Sequence, residues 1–508
     1  MKNSTTNSQS AFARLLGVAS LAAGTWIVPM AQAAVPGITG PAFNLTASAD
    51  YVSQPDGAMI YSWGYGCTSA PSGFAPAAVL GSKGPGPACP LMQLPGPTMI
   101  VDEGATVTIT LANSLPPAAG NTSILFPGFQ VCAATLNVDG TCTGTPSGVS
   151  GRLAQEAAPG ATVTYTFKAT SPGTHSYYSG TQSDLQIEMG LYGAIIVRPA
   201  STGGAACVKG PYSLSATAYD HANTCYDREY MFQFSEMNSK IHEQALAQVN
   251  ACPTAPCPQI NVNLEPYRPN YFLINGRSMP DLMDTPYSPF YVRQPYNGNP
   301  HMHPGERLLM RVVGQGRLQH PFHFHGNHAR VLARDGNLML SQSDATKLAG
   351  PLLFTIPTVS GQTVDAIFSW SGKGLNWDVY NHKPGDGSVC TPDANGFHSV
   401  VGSANYGEWC ADHNKPIPIT PPDPQIVANG QWYAGTPYLG IQSNNAGFNS
   451  TPLPPGTLNQ NDPNNEAGYA YMWHSHNERE ITTNDVFPGG MLMMLLIDPY
   501  TYLIDETL

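Results

Sequence analysis

The chain has 508 residues, of which only 11% are charged and 42% are hydrophobic, while Gly (51) and Pro (47) are abundant. This composition is typical of a turn-rich, all-β protein and argues against a helical or a disordered chain. The formal net charge of -12 argues against nucleic acid as a partner, because phosphate binding requires a basic surface. A chain of this length is expected to form roughly two to four domains.

The N-terminus has the pattern of an export signal. Lys2 and Arg14 precede an apolar run from Leu15 to Val28, and Ala31-Gln-Ala33 supplies the small residues of a cleavage site. We therefore predict a signal peptide at residues 1–33 and an exported protein, periplasmic or extracellular. An uncleaved N-terminal anchor is the alternative. No later segment is apolar for long enough to span a membrane.

All ten cysteines follow this segment. Their even number and an oxidising compartment predict disulfide bonds. Pairing neighbours in the sequence gives five short loops, although the sequence leaves the connectivity open. The predicted pairs are Cys67–Cys89, Cys132–Cys142, Cys207–Cys225, Cys252–Cys257 and Cys390–Cys410.

Residues 34–200 predict a first β-sandwich. Val107, Ile109 and Leu111 alternate with threonines, which places them on the core face of a strand. The segment from Thr162 to Phe167 alternates in the same way. Short strands of this kind, separated by Gly and Pro turns, are typical of a β-sandwich.

Residues 205–508 predict a second β-sandwich with a long irregular insertion. Between about 371 and 466 the chain is rich in Pro, Gly and Asn and loses its periodicity, so this segment either caps a site or forms a partner surface. The last two strands are needed to complete the sandwich, but a third domain made of the insertion and the C-terminus is the alternative. The predicted strands are Glu229 to Ser235, Tyr271 to Asn275, Glu306 to Val313, His323 to Ala333, Thr363 to Trp370, Tyr469 to His476 and Met491 to Ile497.

Two His-x-His pairs are the candidate functional residues. His323 and His325 lie in the segment HPFHFHG, and His474 and His476 lie in WHSH. On a β-strand, residues i and i+2 project to the same face, so each pair presents two imidazoles together. Imidazole is a good ligand for copper and zinc. A lone histidine is more often structural, but two such pairs predict a metal site.

Other residues are weaker candidates for this site. If the second strand continued past His476, Glu480 would share its histidine-bearing face, and the site would then also suit zinc, iron or manganese. Glu478 is expected to be solvated. His328 follows the first motif closely and is a further candidate. His175, His301 and His303 are each expected to be structural or on the surface, with a weak alternative of an exposed copper-binding site at His301-Met-His303.

Several segments together resemble the multicopper oxidase family, of the laccase or two-domain type. The generic matches include PGPTMIVDEGATVTITLANSLP, SPGTHSYY and HPGERLLMRVV, whereas HPFHFHG and WHSH followed by PGGM are specific. The resemblance implies an all-β fold of tandem cupredoxin-like Greek-key β-sandwiches. It also implies a blue type 1 copper that passes electrons to a trinuclear copper cluster, where dioxygen is reduced to water.

The sequence departs from the family pattern in the first sandwich. Where the family has its first two His-x-His motifs, this chain has Leu125 and Pro127, and Tyr178 and Gly180. The first domain therefore supplies none of its expected cluster ligands.

The type 1 site also departs from the pattern. The resemblance places His320 at a type 1 position and the two His-x-His pairs at cluster positions, but Ser475 stands at the position of the type 1 cysteine. Glu480 stands where a histidine is expected, and Met491 is a remnant of the axial ligand. Because blue copper sites depend on a thiolate, a working type 1 centre and ordinary laccase chemistry are not expected.

Three functions follow from these observations. The first is an exported metalloprotein with a reduced histidine site, holding one or two copper ions and acting as an oxidoreductase. The second is a protein that binds copper without catalysis, and the third is a structural or assembly protein on the same scaffold. Zinc or manganese in place of copper, the small-molecule or metal substrate, and homo-oligomerisation are left open by the sequence.

Overall fold

The computed structural model describes residues 35–76, 89–132, 137, 153–205, 207, 216–375, 378–380, 382, 387–401, 403, 405–413, 468–499 and 504, and the backbone of 435–438. The predicted signal peptide, Cys142 and much of the predicted insertion lie outside these residues. All described residues belong to one compact unit. Within them, no helix has the length and apolarity needed to cross a membrane.

The first β-sandwich has two sheets, in the strand orders β4-β1-β5-β9-β8 and β3-β2-β6-β7. Val107, Ile109 and Leu111 of β6 are buried in the core between the sheets, as their alternation predicts. A short helix, α1 (Ser183–Glu188), connects β8 to β9. The strands are β1 Gly37–Thr39, β2 Ala42–Ser53, β3 Met59–Cys67, β4 Phe74–Ala75, β5 Met99–Asp102, β6 Thr106–Asn113, β7 Thr162–Lys168, β8 Gly173–Tyr178 and β9 Tyr192–Arg198.

A small ribbon, β10 (Ala216–Thr217) with β11 (Cys225–Tyr226), leads into the second β-sandwich. The strands of this sandwich are β12 Arg228–Met237, β13 Tyr271–Ile274, β14 His301–Met302, β15 Arg307–Gly314, β16 His320–Phe324, β17 Ala329–Arg334, β18 Asn337–Leu338, β19 Leu352–Leu353, β20 Thr355–Thr358, β21 Thr363–Ser369, β22 Gly435–Tyr438, β23 Gly468–Ser475 and β24 Leu492–Ile497. The tandem all-β architecture predicted from the sequence is confirmed.

The second sandwich packs one sheet, in the order β13-β12-β15-β21-β17-β18, against another in the order β14-β24-β23-β16-β20. Its core is aromatic: the ring of Trp473 lies 5.9 Å from that of Phe322 and 5.1 Å from that of Phe368, edge to face. Burial of such rings contributes most of the apolar stabilisation of a core this size. The last two strands lie beside β16 in one sheet, so β23 and β24 complete this sandwich.

The structure differs from the sequence-based elements in three places. The predicted strand from His323 to Ala333 is two strands, β16 and β17, because the chain turns at Gly326, whose φ of 105° is unfavourable for residues with a side chain. Helix α2 (Ser239–Ala251) was not predicted; the side chain of Asn238 caps it by accepting a hydrogen bond from the amide of Lys240. Strand β22, within the insertion, pairs with β23.

The described part of the insertion packs against the second sandwich. Gly407 lies 3.4 Å from the position that a side chain on Gly305 would occupy. A cavity of about 420 Å³ separates Arg307 and Trp370 of the sandwich from Phe397 of the insertion. The described part of residues 371–413 includes a short 3-10 helix, Cys410–Asp412.

Four of the predicted disulfides are present in the described residues: Cys67–Cys89, Cys207–Cys225, Cys252–Cys257 and Cys390–Cys410. The fifth predicted pair includes Cys142, which lies outside these residues. Each of the four closes a loop of 5 to 22 residues. These disulfides therefore tether local loops. The packing of the two sandwiches depends on their hydrophobic cores.

Candidate metal centre

The four histidines of the two His-x-His pairs come together on one face of a sheet. Strands β16 and β23 are antiparallel neighbours, and His323 stands directly opposite His474. The ring centre of His323 lies 4.9 Å from that of His325, 5.4 Å from that of His474 and 4.9 Å from that of His476. One ring nitrogen from each of His323, His325 and His474 lies within 4.8 Å of the others. The structure thus brings together all four residues that the motifs singled out.

Strand alternation explains this grouping. Residues that alternate with the histidines along these strands, Phe322, Phe324 and Trp473, point to the opposite face and fill the aromatic core. Trp473 also donates a hydrogen bond from Nε1 to the carbonyl of His325, at 3.0 Å. The core therefore fixes the backbone that carries the histidines.

The ring nitrogens are oriented by their neighbours. His474 donates from Nδ1 to the carbonyl of Ser475 at 2.7 Å, which leaves Nε2 with the lone pair. This Nε2 lies 3.3 Å from Nε2 of His325. Two ligand atoms of a tetrahedral ion with bonds of about 2.0 Å are about 3.3 Å apart. The Nδ1 of His323 is held by the hydroxyl of Thr355 at 2.9 Å, the kind of outer contact that orients metal-bound histidines.

Two imidazoles of the cluster, those of His323 and His474, are neutral at neutral pH. Burial, together with the three neighbouring imidazoles, lowers the pKa of His323 to about 4. Burial also lowers the pKa of His474. Neutral imidazoles keep the lone pairs that a metal requires. The side chains of His323, His325 and His474 are 5%, 8% and 9% exposed, whereas His476 is exposed, so the cluster is open on one side.

His320 lies on the other face of the same strand and forms a separate, buried ion-pair network. Its Nε2 is 2.9 Å from Oε2 of Glu236, and its Nδ1 is 2.9 Å from Oε2 of Glu480. Burial opposes the charge on His320, but the two carboxylates outweigh it and raise the pKa of His320 to about 9. The imidazole is therefore protonated on both nitrogens at neutral pH and has no lone pair for a metal.

The other residues at type 1 positions, Ser475, Glu480 and Met491, also make hydrogen bonds in or beside this network. Ser475 donates its hydroxyl hydrogen to Glu480, and Asn477 donates to the other carboxylate oxygen of Glu480 at 2.9 Å. Met491 is fully buried in the core, and its backbone bonds to Ser475 and to Glu480. A copper ion does not fit here, because the thiolate is missing and the histidine is held as a cation between two carboxylates.

The expectation that Glu480 shares the face of His476 is wrong. Strand β23 ends at Ser475, and a 3-10 helix, Glu478–Ile481, turns the chain back over the core. Glu480 is consequently buried beside His320, while Glu478 is exposed. Glu480 is therefore not available to the histidine cluster, while the charge of Glu478 acts on His474 and partly opposes the lowering of its pKa by burial.

The weaker histidine candidates lie elsewhere. His328 is exposed, and its ring packs 5.2 Å from that of Phe354, which in turn lies 5.8 Å from the ring of His323. His175 is buried, with Nε2 2.9 Å from the carbonyl of Ser171.

His301 and His303 do not form the exposed copper-binding site that was considered for them. His301 pairs with Asp498 at 2.6 Å. His303 is fully buried, 3.1 Å from Glu306. Each histidine thus already contacts a carboxylate, and the second cannot be reached from the surface.

In the first sandwich, the positions of the missing histidines pair with each other. Leu125 and Tyr178 form an antiparallel bridge, and Ser123 and Thr181 share a hydrogen bond at 2.8 Å between their hydroxyls. None of these four side chains is an imidazole.

Sequence reasoning missed Glu236. It lies on β12 two residues after Phe234 and four after Phe232, both in the core, so strand alternation places it on the core face. A carboxylate at a core position calls for a buried partner. That pattern was the available signal, but it does not identify His320 as the partner.

Comparison with known proteins agrees with the resemblance noted in the sequence. Residues 92–202 match the family model described as multicopper oxidase. Over this range the chain is similar to the multicopper oxidases. The matched range covers β5 to β9 of the first sandwich and ends before both His-x-His motifs, so the metal-binding role of the four histidines remains a proposal.

Curated relatives are similar over short segments. The chain is 36% identical over 109 residues to multicopper oxidase MCE of Talaromyces pinophilus, 37% identical over 107 residues to laccase 1 of Metarhizium acridum, and 36% identical over 125 residues to laccase-3 of Botryotinia fuckeliana. These segments cover 21%, 21% and 25% of this chain and 15%, 15% and 25% of the relatives.

Solved structures to which the chain shows some similarity include a blue copper oxidase from Nitrosomonas europaea and the multicopper oxidase mgLAC. The first is 15% identical with a TM-score of 0.45, over 89% of this chain and 85% of that one. The second is 14% identical with a TM-score of 0.45, over 91% of this chain and 87% of that one.

Proposed function

We propose that this protein is an exported, copper-dependent oxidoreductase whose reduced metal centre is the cluster of His323, His325, His474 and His476. The proposal rests on one observation above all: four imidazoles from two neighbouring strands converge, with two Nε2 atoms 3.3 Å apart. The names of the relatives, laccases and multicopper oxidases, support copper and redox chemistry. Export is supported by the N-terminal signal pattern.

The chemistry of the cluster fits copper better than manganese. Imidazole is a borderline-soft ligand that suits copper and zinc, whereas manganese prefers carboxylate oxygens. The pKa values of His323 and His474 are lowered, and the buried carboxylate of Glu480 lies on the other face, beside His320. One or two copper ions held there would supply one-electron oxidation of a reducing substrate.

The chain's own residues define how the centre works. The three buried histidines hold the metal, while exposed His476 and the open side of the cluster admit a small reducing substrate. Phe354, half exposed beside His323 and His328, forms an apolar edge to this opening. The neutral state of His323 lets the metal bind without first displacing a proton.

The second candidate is a protein that binds copper without turnover. It is favoured by the ion-pair network at His320, because this network occupies the place through which the family's type 1 copper delivers electrons. Under this alternative, the histidine cluster sequesters the metal and no oxygen is consumed.

The experiment measures metal content by elemental mass spectrometry on protein purified without added metal. Oxygen consumption is then followed with phenols, ferrous iron, manganese and cuprous ion. We expect one or two copper ions at the cluster without a blue thiolate absorption, and their loss together with activity in His323→Ala and in His474→Ala. His328→Ala is the matched control, since His328 is adjacent but outside the cluster, and it should keep the metal.

The outcomes separate the candidates. Activity retained in His323→Ala or His474→Ala would contradict the proposed centre. Stoichiometric copper at the cluster without oxygen consumption would select the copper-binding protein. No metal at the cluster, even after a copper soak, would leave a scaffold protein with relic histidines.

A further inference from the structure

A second group of metal-ligand residues lies in the insertion, far along the chain from both His-x-His pairs. It consists of Asp378, His382, Glu408 and His413, which we call the insertion cluster. Nδ1 of His382 is 2.6 Å from Oδ2 of Asp378 and 2.9 Å from Oε1 of Glu408. Nδ1 of His413 is 2.8 Å from the same Oε1 of Glu408. Donor atoms of His382, Glu408 and His413 all lie within 4.8 Å of one another.

The insertion cluster is buried although it consists of ionisable groups. The side chains of Asp378 and Glu408 are 1% and 0% exposed, and those of His382 and His413 are 8% and 13% exposed. Two carboxylates at such depth carry a large desolvation cost unless cations balance them. A divalent cation balances two carboxylates fully.

Hydrogen bonds alone do not give each donor atom of the insertion cluster a separate partner. The Nδ1 of His382 faces two carboxylate oxygens at once, and one oxygen of Glu408 faces two imidazoles. The centres of the two imidazole rings are only 4.2 Å apart and their planes are tilted by 32°, so protonating both would place two cations side by side. Without an ion, burial opposes a charge on His382, but Asp378 and Glu408 outweigh this effect and raise the pKa of His382 to about 10, so a metal has to displace this proton. Unlike His320, His382 has a second imidazole beside it, that of His413, and a central cation would give each donor atom of the insertion cluster a bond of its own.

Neighbouring groups hold the donor atoms in place. Asn405 donates from Nδ2 to Oε2 of Glu408 at 2.8 Å, which turns Oε1 toward the histidines. The amides of Tyr380 and His382 donate to Asp378 at 2.9 and 3.0 Å. Outer contacts of this kind orient the ligands of known metal sites.

We propose that the insertion cluster binds one divalent cation of the zinc type, through His382, His413, Glu408 and Asp378. Two imidazole nitrogens and two carboxylate oxygens are a set that zinc accepts in tetrahedral geometry. The atoms now 2.6–2.9 Å apart would spread to about 3.3 Å around the ion. The ion would join Asp378 and His382 to Glu408 and His413, next to the Cys390–Cys410 disulfide, and so stabilise a segment whose described residues have little regular structure.

The test uses the full chain carrying His323→Ala and His474→Ala, so that the histidine cluster cannot bind. The protein is stripped with a chelator and titrated with Zn²⁺ by calorimetry and with Co²⁺ by visible absorption. We expect one ion per chain, with the Co²⁺ spectrum of a tetrahedral site. Adding His382→Ala and His413→Ala should lower the affinity by about 100-fold or more. His398→Gln is the matched control in the same loop and should bind like the parent.

Either of two results would overturn the proposal. One is failure of the parent to bind Zn²⁺ while it remains folded by circular dichroism. The other is unchanged binding after His382 and His413 are replaced. If the double alanine variant does not fold, His413→Gln in the same parent decides, because it keeps the side-chain bulk and removes one ligand. These outcomes are independent of copper binding and oxygen consumption at the histidine cluster.

Discussion

Replacing His320 tests the interpretation that the former type 1 position is now a buried ion-pair network. His320 carries its charge between Glu236 and Glu480 and has no exposed surface. Its pKa rises from 6.5 to about 9, and each pKa unit corresponds to about 1.4 kcal/mol. The charged histidine thus contributes about 3 kcal/mol to the free energy of unfolding. This agrees with the roughly 3–5 kcal/mol lost when one partner of a buried pair is removed.

The sign of the pH dependence follows from the direction of the shift. Because the folded pKa of His320 lies above the unfolded one, the contribution is complete below about pH 6.5 and disappears as the pH rises through about 9. We expect His320→Gln to cost about 3 kcal/mol at pH 6 and much less at pH 9.5. Urea unfolding at both pH values, with the midpoint and slope fitted together, measures this difference.

A matched control comes from another buried histidine. Burial lowers the pKa of His175, so near pH 6 this ring binds fewer protons in the folded than in the unfolded chain. The cost of His175→Gln should therefore be smaller at pH 6 than at pH 9.5, which is the opposite direction to His320→Gln. A cost of His320→Gln that does not fall between pH 6 and pH 9.5 would refute the view that His320 is held as a cation.

Three further predictions concern the two faces of β16 and β23. Ser475→Cys alone should not create the blue absorption of a thiolate–copper site after copper is added, because His320 stays protonated; an intense blue band would contradict this. The pKa of His323 is lowered to about 4, so the metal-free protein should lose stability as the pH falls from 6.5 to 4, because the unfolded chain binds more protons in this range. Copper should shift this loss of stability to lower pH. Unfolding midpoints at pH 7 and 4.5, with and without copper, measure the shift. Trp473→Phe should keep most of the core packing but lower the free energy of unfolding by about 1 kcal/mol, because it removes the hydrogen bond to His325. Calorimetry should also show weaker copper binding. An unchanged copper affinity would show that this bond does not position the cluster.

Much of the histidine cluster could be predicted because strand periodicity is local. The i, i+2 spacing alone places His323 with His325, and His474 with His476, on shared faces. That the two pairs face each other depends on the pairing of β16 with β23, strands far apart in the chain. The resemblance to a known family suggested this pairing, and the hydrogen-bond register of the structure supplies it.

The fate of the type 1 position could not be predicted from local patterns. The prediction for Glu480 failed because it assumed that β23 continues, whereas the chain turns after Ser475. The partner of His320, Glu236, lies 84 residues away, and a single buried carboxylate does not specify which cation will meet it. The insertion cluster could not be predicted either, because its residues lie in a segment whose sequence has no periodicity and they meet only in the folded chain.

The sequence by itself determined the all-β class, the alternation of core residues, the short-range disulfides and the shared faces of the histidine pairs. Each of these depends on residues close together in the chain, where backbone geometry alone sets the outcome. The tertiary structure decided that Glu236 and Glu480 enclose His320, and that Asp378, His382, Glu408 and His413 converge. Ionisable groups that the packed core shields from water need partners of opposite charge. Which groups become partners depends on how distant segments are placed, and that placement is a property of the whole fold.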